Sequence, residues 1–207
     1  LESLCRLVGY ECRITQITSG ALHGRLRISH GLGCPVIRID TSQGLIFQGD
    51  RKPSAVQLAV ELNHNLDLHV VKGQKLPKNA FSGFHGRSSE VFFSLTPGSS
   101  MCVASMPRTR VFNQAIEIYG EPAMDQLLNQ NICSVKPKDF DRMAKKLAQN
   151  TNNQTTLKTK TANVDDTILC FLDAMDQEND DQSPDDVIKN VDLVREFVTF
   201  CHNAGYN

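Results

Sequence analysis

The chain has 207 residues, enough for one domain of ordinary size with a helical appendage. Its composition, 40% apolar and 22% charged, is that of a globular chain and excludes a disordered tail protein. With 22 Lys and Arg set against 23 Asp and Glu, the net charge of −1 excludes binding of nucleic acid through this segment's own field.

In chain order, residues 1–18 form a lead-in, with Ile14, Gln16 and Thr18 running toward the first strand. From Ser19 to Pro53 apolar residues alternate with a period of two, and Gly20, Gly24, Gly31, Gly33, Gly44 and Gly49 stand at the expected turns. Leu22, Arg25–Ile28, Val36–Ile39 and Leu45–Phe47 read as short strands. Leu58–Leu62, Leu66–Val71, Phe81–Phe84, Val91–Leu95 and Met101–Met106 follow, the last two separated by a Pro97-Gly98 corner. Short strands at roughly ten-residue spacing without helices between them predict a barrel or jelly roll rather than a parallel βαβ sheet.

After Pro107 the apolar period lengthens. Val111, Phe112, Ala115, Ile116 and Tyr119 form one helical stripe that ends at Gly120, and Pro122–Leu128 reads as a short helix. Pro137 opens a second amphipathic segment through Phe140, Met143, Ala144 and Leu147. The polar stretch Gln149–Asn163 reads as a loop, Val164–Met175 as a helix, and Asp176–Gln182 as an acidic connector. Ser183 as N-cap, Pro184 in the first turn, and Asp185 and Asp186 announce a last helix. The fold class is therefore α+β: a lead-in and cupin-like β-barrel over residues 1–107, then a helical subdomain over 108–207.

Several places resemble one family in its order. They are Gln16-Ile-Thr-Ser19-Gly20 with Gly24-Arg25-Leu26, Gly49 after a strand and before Pro53, the Pro97-Gly98 corner, the strand ending at Pro107, the helical tail, and the capped connector at Ser183. The chain resembles the N-terminal sensor and dimerisation domain of AraC/XylS-family transcription regulators, especially the ethanolamine-utilisation-regulator-like branch. The resemblance implies a bacterial cytoplasmic regulator that senses a small effector, forms a homodimer, and reaches promoter DNA through a C-terminal helix-turn-helix domain outside this sequence. For the branch it implies a small amine or a cobalamin as effector.

No metal or other cofactor is expected. The six histidines contain no H-x-H pair, and His64 and His69 would face opposite sides of one strand. There is no G-x-S-x-G, and Gly83-Phe84-His85-Gly86-Arg87 opens no helix that could cradle a phosphate, so the chain is not expected to be an enzyme. Seven scattered cysteines, without a C-x-x-C pair, read as reduced packed thiols, with a redox sensor as the alternative. No apolar run reaches the about 18 residues of a membrane span, and the first residues lack a signal-peptide pattern, so no membrane partner is expected.

A ligand in the mouth of the barrel would be lined by His23, Phe47, His69, Phe81, Phe84 and Phe93. Arg25 and Arg27 share one strand face opposite Leu26 and Ile28, and Arg38 lies opposite Ile37 and Ile39, so the arginines are expected on the wet face. An arginine turned inward would select a carboxylate or phosphate. Val187, Val191, Val194, Val198 and Cys201 form the stripe expected to pair two copies. The alternatives are a dimerisation module that binds no ligand and a small-molecule cupin enzyme.

Overall fold

The computed structural model describes residues 6, 10–63, 70–71, 74–83, 90–121, 132–152 and 163–176. Eleven strands are assigned among them: β1 (Tyr10–Gln16), β2 (Gly24–Ser29), β3 (Val36–Thr41), β4 (Leu45–Arg51), β5 (Ala55–Glu61), β6 (Val70–Val71), β7 (Gln74–Lys75), β8 (Ala80–Ser82), β9 (Glu90–Leu95), β10 (Ser100–Pro107) and β11 (Ile132–Ser134). Three helices accompany them: α1 (Arg108–Tyr119), α2 (Pro137–Asn152) and α3 (Val164–Asp176). The protein is a mixed α+β chain. Its strands form two antiparallel sheets, one ordered β1-β4-β9-β6-β7 and the other β11-β8-β5-β10-β3-β2.

Two apolar cores follow from the alternation along each strand. Tyr10, Cys12, Leu45, Phe47, Val91 and Leu95 of the first sheet meet Ile37, Ile39, Met101 and Val103 of the second, forming the inter-sheet core. The other face of the six-stranded sheet carries Val36, Val56, Leu58, Val60, Phe81, Cys102, Ala104 and Met106, which share a core with the three helices. Phe81 is its centre, with ring centroids 5.9 Å from Phe140 and 5.6 Å from Phe171. Layer order is thus sheet, sheet, helices, and the change of period at Pro107 marks where β10 hands over to α1.

Local signals explain most boundaries. α1 stops where Gly120 takes φ +79° and its N–H bonds the Ile116 carbonyl at 2.8 Å, as the glycine signal predicts. α3 carries Asp165 and Asp166 in its first turn and matches the predicted segment to within a residue. Gly49 lies opposite Cys12 in the β1–β4 register, and a side-chain carbon there would stand 2.1 Å from the Glu11 carbonyl oxygen, so only glycine lets the two strands meet.

Some expectations are corrected. The lead-in contains a full strand, β1, which pairs with β4 from Tyr10↔Arg51 to Gln16↔Leu45. Leu22 lies outside β2, α2 continues to Asn152 into the stretch read as a loop, and β11 has no counterpart in the sequence reading. Leu66–Leu68, Phe84, Pro122–Leu128, residues 153–162 and the Ser183 helix lie outside the described residues.

Candidate functional site

The inter-sheet space is filled in its middle and opens at its ends. In the middle, Phe47 and Phe93 sit side by side in the β4–β9 register and stack at 4.4 Å with 9° between the rings. Beneath them lies a cavity of only about 10 Å³, lined in part by Tyr10, Ile37, Ile39 and Val103. That is room for about one water molecule.

At one end a cavity of about 40 Å³ is lined by Tyr10, Arg51, Ala59, Ser82, Gly83, Glu90, Val91, Phe92, Phe93, Met101 and Val103. The Arg51 guanidinium is buried here and donates to the Gly83 carbonyl oxygen. Burial lowers its pKa below the ordinary arginine value, Tyr10 opposes that, and Arg108 adds to it. Gln57 stands directly behind Gly83 with neither amide atom hydrogen-bonded. It is fully buried, packed between sheet layers rather than open to the cavity, and its amide is a cost to this arrangement.

At the other end, on the open edge where β2 is the last strand of its sheet, lies a larger cleft of about 250 Å³. Its apolar walls are Leu22, Leu26, Ile39 and Leu45, and Gly24, Arg25, Asp40 and Thr41 complete it. β2 can lie this close to β3 because Gly24 has no side chain: a Cβ there would fall 2.6 Å from the Asp40 carbonyl oxygen. Thr41 closes the floor, its hydroxyl donating to the Gln43 carbonyl at 2.8 Å. The loop before β2 is tied down by the His23 amide donating to Ser42 Oγ at 2.9 Å and the Ser42 amide donating to the His23 carbonyl at 2.8 Å.

Beside this cleft, on the helix-facing side of the sheet, two arginines converge on one carboxylate. Arg38 Nε donates to Asp40 Oδ1 at 2.9 Å, Arg27 Nη1 donates to Asp40 Oδ2 at 3.2 Å, and Ser100 Oγ donates to Asp40 Oδ1 at 2.6 Å. Both arginines also reach the end of α2, donating to Asn152 Oδ1 at 3.3 Å from Arg27 and 3.1 Å from Arg38. These side chains are 26% and 19% exposed, so the expectation that Arg27 and Arg38 face open water is corrected: α2 covers the face on which they stand.

Of the predicted ligand-lining residues, Phe47 and Phe93 do line the inter-sheet space and His23 flanks the larger cleft between Leu22 and Gly24. Phe81 does not: it points to the opposite side of its sheet, into the helices. His69 and Phe84 lie outside the described residues, as do Val187, Val191, Val194, Val198 and Cys201. The reading missed Tyr10, Arg51, Asp40 and Leu45. Among the described residues no three His, Cys, Asp or Glu side chains form a metal-binding group, and no helix is long and apolar enough to cross a membrane. No disulfide joins any two of the described cysteines Cys12, Cys34, Cys102, Cys133 and Cys170, and burial pushes the thiols of Cys34 and Cys102 up to about 11.

Comparison with models of protein families, with curated proteins and with solved structures finds no match to this chain.

Proposed function

We propose that the chain is the effector-sensing and dimerisation half of an AraC-like transcription regulator, with a cupin-like jelly roll as its sensor. The strand order supports the fold assignment. β4-β9-β6-β7 in one sheet and β8-β5-β10-β3 in the other is the order in which eight consecutive strands of a double-sheet jelly roll are laid down, with β1, β2 and β11 added at the edges.

The observation that carries the sensing role is the cleft at the β2 edge. Its volume of about 250 Å³ approaches the roughly 300 Å³ at which small-molecule pockets begin, and its walls are apolar with a few polar groups at the rim. The cleft shares Ile39 and Leu45 with the inter-sheet core, so a ligand there bears directly on the sandwich. In this mechanism the effector biases two arrangements of the helices on the far side of the six-stranded sheet, by no more than its difference in affinity for them. Those helices present the DNA-binding units of a homodimer to promoter DNA, in the cytoplasm.

The test is a panel of small metabolites screened by melting temperature, with sedimentation velocity for oligomeric state. A true effector at one hundred times its Kd adds about 2.7 kcal/mol to stability. Leu26→Trp, which fills the cleft, abolishes the shift. A panel in which no compound raises the melting temperature would sink the sensing role.

The second reading, a dimerisation module without a ligand, is favoured by the stacked Phe47 and Phe93, which fill the middle of the sandwich with the protein's own side chains. It predicts a dimer by sedimentation and no response to any metabolite.

A further inference from the structure

β2 ends its sheet, and the phase of its ladder with β3 fixes which backbone groups lie on the outer side. The Thr41 amide donates to the Ser99 carbonyl and the Thr41 carbonyl accepts from the Gly98 amide, so both turn away from β2, while the Ser42 amide donates to the His23 carbonyl. Alternation then gives the backbone groups of Asp40, Arg38 and Val36 to β2, where they meet Arg25, Arg27 and Ser29. The N–H and C=O groups of Gly24, Leu26 and Ile28 therefore point outward, and among the described residues no strand pairs with β2 on that side.

Exposed edges are usually blunted by a proline, a bulge or a covering segment. β2 contains no proline, and its register runs unbroken from Gly24↔Thr41 to Ser29↔Val36. Its two faces differ in chemistry. Arg25 and Arg27 stand on the helix-facing side with Arg38 and Asp40, three guanidiniums to one carboxylate, and Arg25 is exposed. Leu26 and Ile28 stand on the inter-sheet side, with Leu26 in the wall of the larger cleft.

A strand laid along this edge meets both faces at once, because its side chains alternate between the arginines and the apolar mouth of the cleft. We propose that the β2 edge captures an extended peptide in which acidic and apolar residues alternate, added antiparallel to β2 as one more strand of its sheet. Acidic residues opposite Arg25 and Arg27 supply the negative charge that this side of the ladder lacks. The residue opposite Leu26 turns its apolar side chain toward the cleft.

A second copy of the chain is the poorer occupant. Two β2 strands paired through the same groups about Leu26 would set each Arg25 opposite the other copy's Arg27, and like charges across a ladder destabilise it. Centred on Ile28 instead, the pairing runs past Ser29, where β2 stops. Capture of the peptide does not depend on a small effector using the cleft as well.

The test titrates the chain into short fluorescent peptides and reads anisotropy. A peptide of alternating glutamate and valine is expected to bind at least about tenfold more tightly than its lysine–valine and glutamate–serine counterparts, and added salt should weaken it. The phase of the ladder sets the valine amides against β2, so N-methylation of the valines should abolish binding and N-methylation of the glutamates should leave most of it. Arg25→Glu, at an exposed position, should keep the melting temperature and reverse the preference in favour of the lysine peptide. Ile28→Pro, which removes an outward donor and no bond to β3, should abolish binding of either peptide. Absence of binding, equal binding of the two methylated peptides, or a preference for glutamate that Arg25→Glu leaves unchanged would each overturn the proposal. A dimer by sedimentation velocity that Ile28→Pro dissociates would give the edge to a second copy and overturn it too.

Discussion

Replacing Phe81 by alanine separates the two faces of the six-stranded sheet. As a pocket-lining side chain, Phe81 would cost little stability when shortened and would change ligand binding. In the structure it is fully buried on the helix side, in contact with the rings of Phe140 and Phe171. Truncating such a phenylalanine costs about 3–5 kcal/mol, part of it from the cavity left between sheet and helices. At about 2–4 °C per kcal/mol for a chain of this size, the melting temperature should fall by about 6–20 °C. Urea unfolding of Phe81→Ala, Phe171→Ala and the double variant measures both the cost and the coupling. The coupling between the two rings should be about 0.5–1.5 kcal/mol, since they lie on β8 and α3 and touch only if the helices cover the sheet. A loss below about 1 kcal/mol, or a coupling of zero, would refute the three-layer arrangement.

Gly49→Ala should destabilise by about 2 kcal/mol or more, because the new carbon meets the Glu11 carbonyl and the strands β1 and β4 must separate; urea unfolding with a normal m-value would confirm it. Asp40→Asn should cost on the order of 1–3 kcal/mol, since it leaves Arg27 opposite Arg38 with no anion between them, and high salt should recover part of the loss. Cys34 and Cys102 should resist iodoacetamide at pH 8 in the folded protein and react once it unfolds. Their thiols are held at about 11 by burial, against an ordinary 9.0, so the stability they contribute is complete below pH 9.0 and is lost as the pH rises from there to about 11. Rapid native labelling of either thiol, or stability that is flat over that range, would contradict their burial.

The strands and helices were legible where one period ran unbroken, as in Val36–Ile39, Met101–Met106 and Val164–Met175. Which side of a strand faces the ligand was not. In β5 the residues Val56, Leu58 and Val60 look like the inner face of a barrel, yet they meet the helices, and Gln57 and Glu61 turn between the sheets. Alternation gives two faces and does not name them when both are covered. The same ambiguity misassigned Phe81. β1 has the alternation Tyr10, Cys12, Ile14, but nothing near it in sequence shows that its partner is β4, whose paired residues run from Leu45 opposite Gln16 to Arg51 opposite Tyr10. The cleft could be read only in part: His23 was visible as a candidate, whereas Arg25 was expected on the wet face and is exposed there. The role of Asp40 depends on Asn152, which approaches it only through the packing of α2 on the sheet.

The most direct measurement is a methyl NMR titration of the strongest melting-temperature hit. The account predicts that the methyl resonances of Leu22, Leu26, Ile39 and Leu45 move together along one saturable curve, with smaller changes in Leu147 at the helix–sheet contact. Saturation that leaves those four leucine and isoleucine methyls in place would contradict it.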